Sequence, residues 1–220
     1  MSKSEGFPKV IAGFLLVFFA AVLIAYFLQK DKALPIYNPS DINPSLVDES
    51  VQNIKENHKI RSFSLVNQLG DSISEKDFEN KIYVADFFFT RCMGICPKMS
   101  KQMDRAAEEF KQDNEIMFLS HSVTPVADSV PVLAEYAELY GADPTQWMLA
   151  TGDKKEIYDL ARKSYFAVTT EGTGDSTDFI HTENFVLIDK NKRIRGFYDG
   201  TSSEDVDRLI EDIRILQKEG

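Results

Sequence analysis

The sequence predicts a mixed α/β sandwich that follows one N-terminal transmembrane helix. Residues 10–28 form a nearly unbroken apolar run, and beyond them short apolar stretches alternate with amphipathic ones. The only two cysteines, Cys92 and Cys96, lie where an apolar stretch passes into an amphipathic one. Strands that alternate with helices form a sheet covered by helices, so the thiol pair is expected at one end of that sheet.

The run at residues 10–28 is apolar except for Gly13. As a helix it would extend nearly 30 Å at about 1.5 Å per residue, which matches the apolar thickness of a bilayer. A cleaved signal peptide has a shorter apolar core of about 7–15 residues, so we expect a retained anchor in contact with the lipid bilayer. Two lysines lie on each side of the run, so the positive-inside rule does not orient it.

The charge distribution excludes one class of partner and suggests an orientation. The chain has a formal net charge of −10. Residues 1–32 contain four lysines and two acidic residues, a net of +2, so the rest of the chain carries −12. Such an acidic domain is not expected to bind nucleic acid. Because the anchor is the first apolar segment and an acidic domain follows it, we expect residues 1–9 to be a cytoplasmic tail. The protein would then cross the cytoplasmic (inner) membrane once, with its C-terminal domain in the periplasm.

Residues 29–58 are predicted to be a tether between the anchor and the domain. Pro35, Pro39 and Pro44 occur there among small polar residues and forbid a long helix. The remaining residues, 59–220, suffice for one domain with a full hydrophobic core. With two cysteines in the chain, no framework of several structural disulfides is possible.

The first half of the domain is predicted to contain two short strands, a central strand and a helix. Closely spaced apolar residues indicate a strand at 60–66, and a polar turn at 67–72 leads to a second short strand. A Ser at a capping position and an Asp three residues later predict a helical turn at 74–78. Residues 82–89 are almost continuously apolar, which is typical of a strand buried on both faces. Apolar residues at spacings of three and four predict a helix over 95–112.

The second half continues the alternation and ends with an antiparallel pair. The predicted elements are a strand at 115–120, a loop at 124–129, a helix at 130–140, a strand at 147–150, a helix at 153–166, a Gly- and Thr-rich loop at 169–177, strands at 179–188 and 192–198 around a hairpin turn, and a closing helix at 203–217. A thioredoxin-like core with an inserted segment fits this order best.

The spacing of the two cysteines carries chemical information. Cys92 and Cys96 are four residues apart, so within a helical turn both would lie on one face. Pro97 suits the first turn of a helix, where unpaired N–H groups and a partial positive charge favour thiolate. The sulfurs could close a disulfide or chelate one soft metal ion. The alternative is a pair of buried thiols that act as small hydrophobic residues.

A third ligand is expected from His181, which precedes an apolar strand. In a thioredoxin-like fold this segment passes close to the cysteine turn. Two thiolates and one neutral imidazole suit copper or zinc. Asp178 and Glu183 could orient the imidazole through hydrogen bonds. A lone histidine before a strand is otherwise a structural residue, and the paired cysteines are what favour the ligand interpretation.

Three other residues were weighed for the same site. His121 ends another predicted strand and competes with His181, although we interpret it as a structural or supporting residue. His58 belongs to the predicted tether and receives no role. Met93 lies beside the thiols, and its thioether also suits Cu(I).

Several motifs together resemble the Sco/SenC family of copper-binding proteins, which assist cytochrome c oxidase assembly. They are Ala85-Asp86-Phe87-Phe88-Phe89-Thr90-Arg91-Cys92, Ile95-Cys96-Pro97, Ser122-Val123-Thr124-Pro125, Glu135-Tyr136-Ala137 and Ile180-His181 ahead of Val186-Leu187-Ile188-Asp189. The resemblance implies that copper binds to Cys92, Cys96 and His181. The chain departs from the family at Gly94, where many members have Asp, and at Met93, where Pro is frequent.

The resemblance implies a membrane-anchored copper metallochaperone. The reduced thiols and the imidazole would bind Cu(I) and Cu(II) and deliver copper to the copper-site subunit of cytochrome c oxidase. The alternative from an enzyme class is a target-specific thiol–disulfide reductase. Thioredoxins carry a Pro before the strand that faces the active cysteines, whereas this chain has none after Pro144. A thiol peroxidase is disfavoured, because Thr90 lies two rather than three residues before Cys92.

Overall fold

Helix α1 (Gly6–Leu28) belongs to the first of two compact units into which the chain divides, with the boundary between Ala33 and Leu34. The structure, a computed structural model, describes residues 6–28, 33–44, 47–168 and 179–219. Within these ranges no helix combines the length and the apolar character that a membrane crossing requires. The anchor predicted at residues 10–28 therefore stays a prediction.

The second unit is built on one seven-stranded sheet. Its strands are β1 (Ser64–Asn67), β2 (Ser72–Ser74), β3 (Ile82–Phe88), β4 (Ile116–Ser122), β5 (Trp147–Thr151), β6 (Asn184–Ile188) and β7 (Ile194–Asp199). They lie in the order β2-β1-β5-β4-β3-β6-β7. The β3–β4 and β4–β5 pairs are parallel and the other pairs are antiparallel.

Helices cover both faces of this sheet, which confirms the predicted α/β sandwich. They are α2 (Cys96–Glu109), α3 (Val130–Tyr140), α4 (Lys154–Lys163) and α5 (Ser203–Glu219), and a 3₁₀ turn lies at Pro39–Asp41. Side chains of α2, α3 and α5 share a core on one face, and those of α4 join the core on the other. The central strand β3 is buried along its whole length, as its continuous apolar sequence predicts.

Strand β3 divides its side chains between the two cores according to the two-residue period of a strand. Val84 and Phe88 lie in the core that also contains the two cysteines, which we call the thiol face. Ala85 and Phe87 lie in the opposite core. This alternation decides which polar side chains of the central strands can reach the thiols.

The strand predicted before the hairpin turn is shorter in the structure. The strand predicted at 179–188 pairs only over Asn184–Ile188, and residues 179–183 precede it without strand pairing. Thr182 ties this segment down, since its hydroxyl donates to the carbonyl oxygen of Ala167 at 2.6 Å. The loop predicted at 169–177 lies outside the described residues, since residues 169–178 are not described.

Residues assigned to the tether belong in part to the folded unit, which begins at Leu34 rather than near residue 59. Tyr37 forms a bridge to Ile194, and the N–H of Tyr37 donates to the carbonyl oxygen of Ile194 at 2.9 Å. His58 is buried, and its Nε2 lies 2.8 Å from the carbonyl oxygen of Ser164. Prolines exclude a helix locally but do not prevent the segment from docking on the sheet.

Candidate functional site

The two thiols lie on the segment that joins β3 to α2, which we call the cysteine loop (residues 89–96). Cys96 is the first residue of α2, and Pro97 occupies the next position, where its missing N–H removes no helical hydrogen bond. The N–H of Cys92 donates to the carbonyl oxygen of Phe89 at 3.2 Å. The N–H of Cys96 donates to the sulfur of Cys92 at 3.5 Å. The loop therefore places the sulfur of Cys92 at the N-terminus of α2, which begins with Cys96.

The two thiols differ in acidity although both are reduced and buried, with 8% and 3% of their surface exposed. Burial tends to raise the pKa of Cys92, but hydrogen bonds from Cys96, Gly94 and Ile95 outweigh it and leave the pKa below its ordinary value. Burial raises the pKa of Cys96 to about 12. Cys92 therefore supplies a thiolate more readily, while Cys96 keeps its proton until a ligand displaces it.

The apex of the cysteine loop is open to solvent. The side chain of Met93 is 95% exposed. At Gly94, an added Cβ would meet no heavy atom within 4 Å. A soft metal ion or a partner's sulfur can therefore approach Cys92 from this side without displacing packed side chains.

His181 lies in the segment that runs past the cysteine loop. The antiparallel register of β3 and β6 pairs Tyr83 with Ile188 and Ala85 with Val186. Extended two residues beyond the end of β3, where the strands no longer pair, this register would align His181 with Thr90, two residues before Cys92. Adjacent to it, the ring of Phe179 packs edge-on against Phe89 with centroids 5.2 Å apart.

The imidazole of His181 is exposed, and the structure does not assemble a complete metal site around it. Within the described part of the chain, no group of three or more His, Cys, Asp or Glu side chains is placed to hold a metal ion. The ligand set Cys92, Cys96 and His181 therefore stays a prediction. Of the two residues expected to orient the imidazole, Asp178 lies outside the described residues and Glu183 is exposed.

His121 is fully buried on the face opposite the thiols. Its ring stacks on Phe87 with centroids 4.7 Å apart, and Tyr165 and Phe63 complete an aromatic surround. Nδ1 lies 3.1 Å from the main-chain oxygen of Asp86. Burial lowers the pKa of His121 to about 4, so the ring is neutral at physiological pH. This environment supports the structural interpretation over the ligand interpretation.

Asp86 is a buried carboxyl group that the site prediction did not include. It alternates with Val84 and Phe88 along β3 and so faces the thiol side of the sheet. Burial raises the pKa of Asp86 to about 7, although a hydrogen bond with Ser120 opposes the shift. Its Oδ1 has no hydrogen-bond partner among the described residues. The signal in the sequence was a single acidic residue inside an otherwise apolar strand.

The negative charge of Asp86 also acts on the thiols. It is one of the influences that raise the pKa of Cys96, after burial and the effect of Cys92. Ser120, which lies opposite Asp86 in the parallel register, accepts a hydrogen bond from Nε1 of Trp147 at 2.9 Å. Hydrogen bonds thus connect Asp86, Ser120 and Trp147 across β3, β4 and β5 on the thiol face.

Comparisons with known proteins agree with this architecture. The model of the SCO1/SenC family matches residues 51–217. The SCO1 protein homolog of Bacillus subtilis (strain 168) is 29% identical over 167 residues, which cover 74% of this chain and 86% of that protein. The structure of BsSco, described as a member of the Sco family of cytochrome c oxidase assembly proteins with a disulfide switch, has a TM-score of 0.62 at 28% identity. The matched region covers 73% of this chain and 94% of the BsSco chain.

A more distant structure shows the same fold. Yeast Sco1, solved with copper bound, has a TM-score of 0.55 at 22% identity and covers 72% of this chain and 90% of its own. The family match extends over most of the chain and includes both cysteines and His181. This protein therefore belongs to the SCO1/SenC family.

Proposed function

We propose that this protein is a copper metallochaperone that binds copper through Cys92, Cys96 and His181 and assists assembly of the copper site of cytochrome c oxidase. The observation that carries the proposal is the thiol pair at the start of α2, in which Cys92 is poised as a thiolate beneath an open loop. Membership in the SCO1/SenC family and the description of BsSco as an oxidase assembly protein support the same function.

The donor set fits copper better than a hard cation. Two sulfurs four residues apart at a helix start can share one soft ion, and thiolates favour Cu(I). An imidazole adds a nitrogen donor that helps to hold Cu(II). The edge-on contact of Phe179 with Phe89 supports a role for His181, since it brings the segment of this residue against the start of the cysteine loop.

Copper is the cargo in this proposal, and the residues handle protons as it binds. Cys92 coordinates first because its pKa lies below its ordinary value, whereas burial raises that of Cys96. Cys96 must then release its proton, since a thiolate rather than a thiol is the ligand. The imidazole of His181, which is exposed, binds last and can dissociate first. Its dissociation leaves a coordination position open for a ligand of the partner. The acceptor is the copper-site subunit of cytochrome c oxidase.

We further propose that residues 10–28 attach the domain to the cytoplasmic membrane as a single-pass anchor, with the C-terminal domain on the periplasmic side. The support is the length and apolar composition of this run, together with exposed apolar side chains on α1 such as Phe14, Leu16 and Val17. Washing membranes with alkaline carbonate should leave the full chain bound. Release into the supernatant would refute the anchor and leave the copper proposal untouched.

Copper binding by the full chain tests the ligand set. Cys92→Ser and Cys96→Ser should each lower Cu(I) affinity at least a hundredfold, measured by competition with a Cu(I) chelator, because each removes a thiolate ligand. His181→Ala should abolish the thiolate-to-Cu(II) absorption band while Cu(I) remains bound by the sulfurs. Glu211→Ala, an exposed residue on α5, serves as the control and should change neither. An unchanged Cu(II) spectrum in His181→Ala would remove the imidazole from the site.

A thiol–disulfide reductase is the second candidate, and the unequal acidity of the two thiols favours it. An attacking thiolate at Cys92 and a protonated Cys96 are the arrangement that a mixed-disulfide exchange requires. Reduction of a partner disulfide should then fail in Cys92→Ser and persist in His181→Ala, with no need for copper. Activity that requires both copper and His181 would decide for the metallochaperone.

A further inference from the structure

Asp128 is a fully buried carboxylate that lies beside the cysteine loop and takes no part in the proposed ligand set. It is surrounded by uncharged donors. Oδ1 accepts a hydrogen bond from the hydroxyl of Thr90 at 2.6 Å, and Oδ2 accepts from the main-chain N–H of Thr90 at 3.3 Å. Oδ2 also accepts from the hydroxyls of Ser122 at 2.6 Å and Thr124 at 2.9 Å.

These hydrogen bonds join two segments that are far apart in sequence. Thr90 lies in the cysteine loop, two residues before Cys92, whereas Ser122 ends the parallel neighbour strand β4. Beyond β4 the chain turns back, because the N–H of Asp128 donates to the carbonyl oxygen of Thr124 at 2.9 Å. The carboxylate therefore fixes the start of the cysteine loop to the end of β4.

Burying an ionised carboxylate is costly unless hydrogen bonds replace its hydration. A group kept at this cost so close to the thiols calls for an explanation beyond the packing of the turn. Two of its four donors come from Thr90 alone, and both restrain the cysteine loop rather than the strand. The arrangement restricts the loop before any ligand arrives.

We propose that Asp128 is a positioning residue that holds the cysteine loop, through Thr90, in the conformation that copper binding and disulfide closure both require. A loop already fixed loses little conformational freedom when the two sulfurs are brought together, whereas a released loop loses more. Releasing it therefore weakens both reactions. The copper half of this inference rests on the proposed function, whereas the disulfide half does not.

Substitutions that cut single hydrogen bonds of the carboxylate separate this role from general stability. Thr90→Val removes a hydroxyl bond on the loop side, and Ser122→Ala removes one of equal length on the strand side. The two variants are matched in that each loses one hydroxyl donor to the same carboxylate, and Ser122→Ala also removes the acceptor of the Thr124 N–H at 3.2 Å. Thr90→Ser retains the donor and is the conservative rescue. Asp128→Asn keeps the shape but offers a single acceptor oxygen to four donors.

Two equilibria of the full chain are measured for each variant. One is Cu(I) affinity against a chelator. The other is the thiol–disulfide exchange with dithiothreitol. In this reaction the Cys92–Cys96 disulfide is reduced to two thiols while dithiothreitol is oxidised to its cyclic disulfide. In Asp128→Asn and Thr90→Val, we expect about tenfold weaker copper binding and an about tenfold less stable protein disulfide, which is about 1.4 kcal/mol in each case. Thr90→Ser and Ser122→Ala should stay within about twofold of the parent.

Thermal unfolding of the same variants shows whether each one folds, and Thr90→Val and Ser122→Ala should lose similar stability. If Ser122→Ala changes the disulfide equilibrium as much as Thr90→Val does, or if Thr90→Val changes nothing, the positioning role is refuted. A parent chain that binds no copper would refute the proposed function instead, and the disulfide equilibrium would still decide the role of Asp128.

Discussion

Asp86 shows how one buried side chain couples this fold to pH. The pKa of its carboxyl rises from an ordinary value of 3.8 to about 7 because burial disfavours the ionised form. The folded state therefore binds a proton more tightly than the unfolded chain does between these two values. Its contribution to the free energy of unfolding is largest below pH 3.8 and is lost as the pH rises through 7.

Asp86→Asn is accordingly expected to raise the free energy of unfolding at high pH and not at low pH. At pH 8 the parent pays for a buried charge, at most about 4 kcal/mol for a shift of this size, and the amide avoids that cost. By pH 5 most of the advantage should vanish, because the parent carboxyl is then protonated in the folded state. Urea unfolding at pH 5 and pH 8 measures the difference.

Asp143→Asn is the matched control for this experiment. Hydrogen bonds from Thr145 hold the pKa of this exposed carboxyl below its ordinary value, so it is ionised at both pH values. Its substitution should shift the free energy of unfolding equally at pH 5 and pH 8. A gain in Asp86→Asn that is the same at both pH values would show that burial of the charge is not the cause.

At the scale of elements, the segment before β6 is the part of the site with the fewest restraints. Residues 179–183 lack strand pairing, and Thr182 restrains them by donating to the Ala167 oxygen and accepting from the N–H of Asn184 at 3.1 Å. His181 is attached directly to this threonine. The placement of the imidazole therefore depends on a side-chain hydrogen bond rather than on the sheet.

Thr182→Val is expected to release this segment and to weaken the Cu(II) complex about three- to tenfold. It removes both hydrogen bonds of the hydroxyl, each typically worth about 0.5–1.5 kcal/mol, while Cu(I) bound by the two sulfurs should be little affected. Competition with a Cu(II) chelator and the absorption spectrum measure the change. Thr201→Val is the control, since its hydroxyl makes a similar bond to Asp199 after β7. Equal losses in both variants would contradict a specific role for Thr182.

The elements themselves were largely predictable because their signals are local. Continuous apolar sequence identified β3, and spacings of three and four identified α2, whose Met99 and Met103 are buried. The ends were less predictable, because α4 stops at Lys163 and Phe166 then adopts a positive φ of 51°. At this break Phe166 packs against His58, which is far away in sequence, with ring centroids 4.6 Å apart. No local pattern encodes such a contact.

The site was predictable only where the sequence brings its parts together. Cys92 and Cys96 are four residues apart within the cysteine loop, so their proximity follows from their spacing. The predicted approach of His181 depends on the pairing of β6 with β3, which the predicted thioredoxin-like fold implies and no periodicity indicates. Asp128 was placed in a loop and given no role, because its partner Thr90 lies 38 residues away.

At the scale of the whole molecule, the segment from Leu34 to His58 acts as a strap on the folded unit. The guanidinium of Arg195 on β7 is buried and donates to the carbonyl oxygens of Leu34 at 2.6 Å and Pro35 at 3.0 Å. It also pairs with Asp189 and Glu219. The strap thereby supplies acceptors that a buried cation needs.

A chain shortened to begin at Leu34 should unfold at nearly the same temperature as the parent, whereas one that begins at Lys59 should unfold several degrees lower. The second chain leaves part of the Arg195 guanidinium without acceptors, at a cost of about 1–3 kcal/mol, and for a domain of this size each kcal/mol lowers Tm by about 2–4 °C. Calorimetry measures both transitions. Equal Tm values for the two shortened chains would show that the strap adds nothing.

The strap also constrains the order of events during biosynthesis. Leu34 is translated well before Arg195 and Glu219. Both of these later residues form hydrogen bonds with the main chain of Leu34, and they form an ion pair with each other. A nascent chain must therefore hold this proline-containing stretch undocked while the sheet forms. Docking would follow the synthesis of β7 and α5, and it would report that both elements have formed.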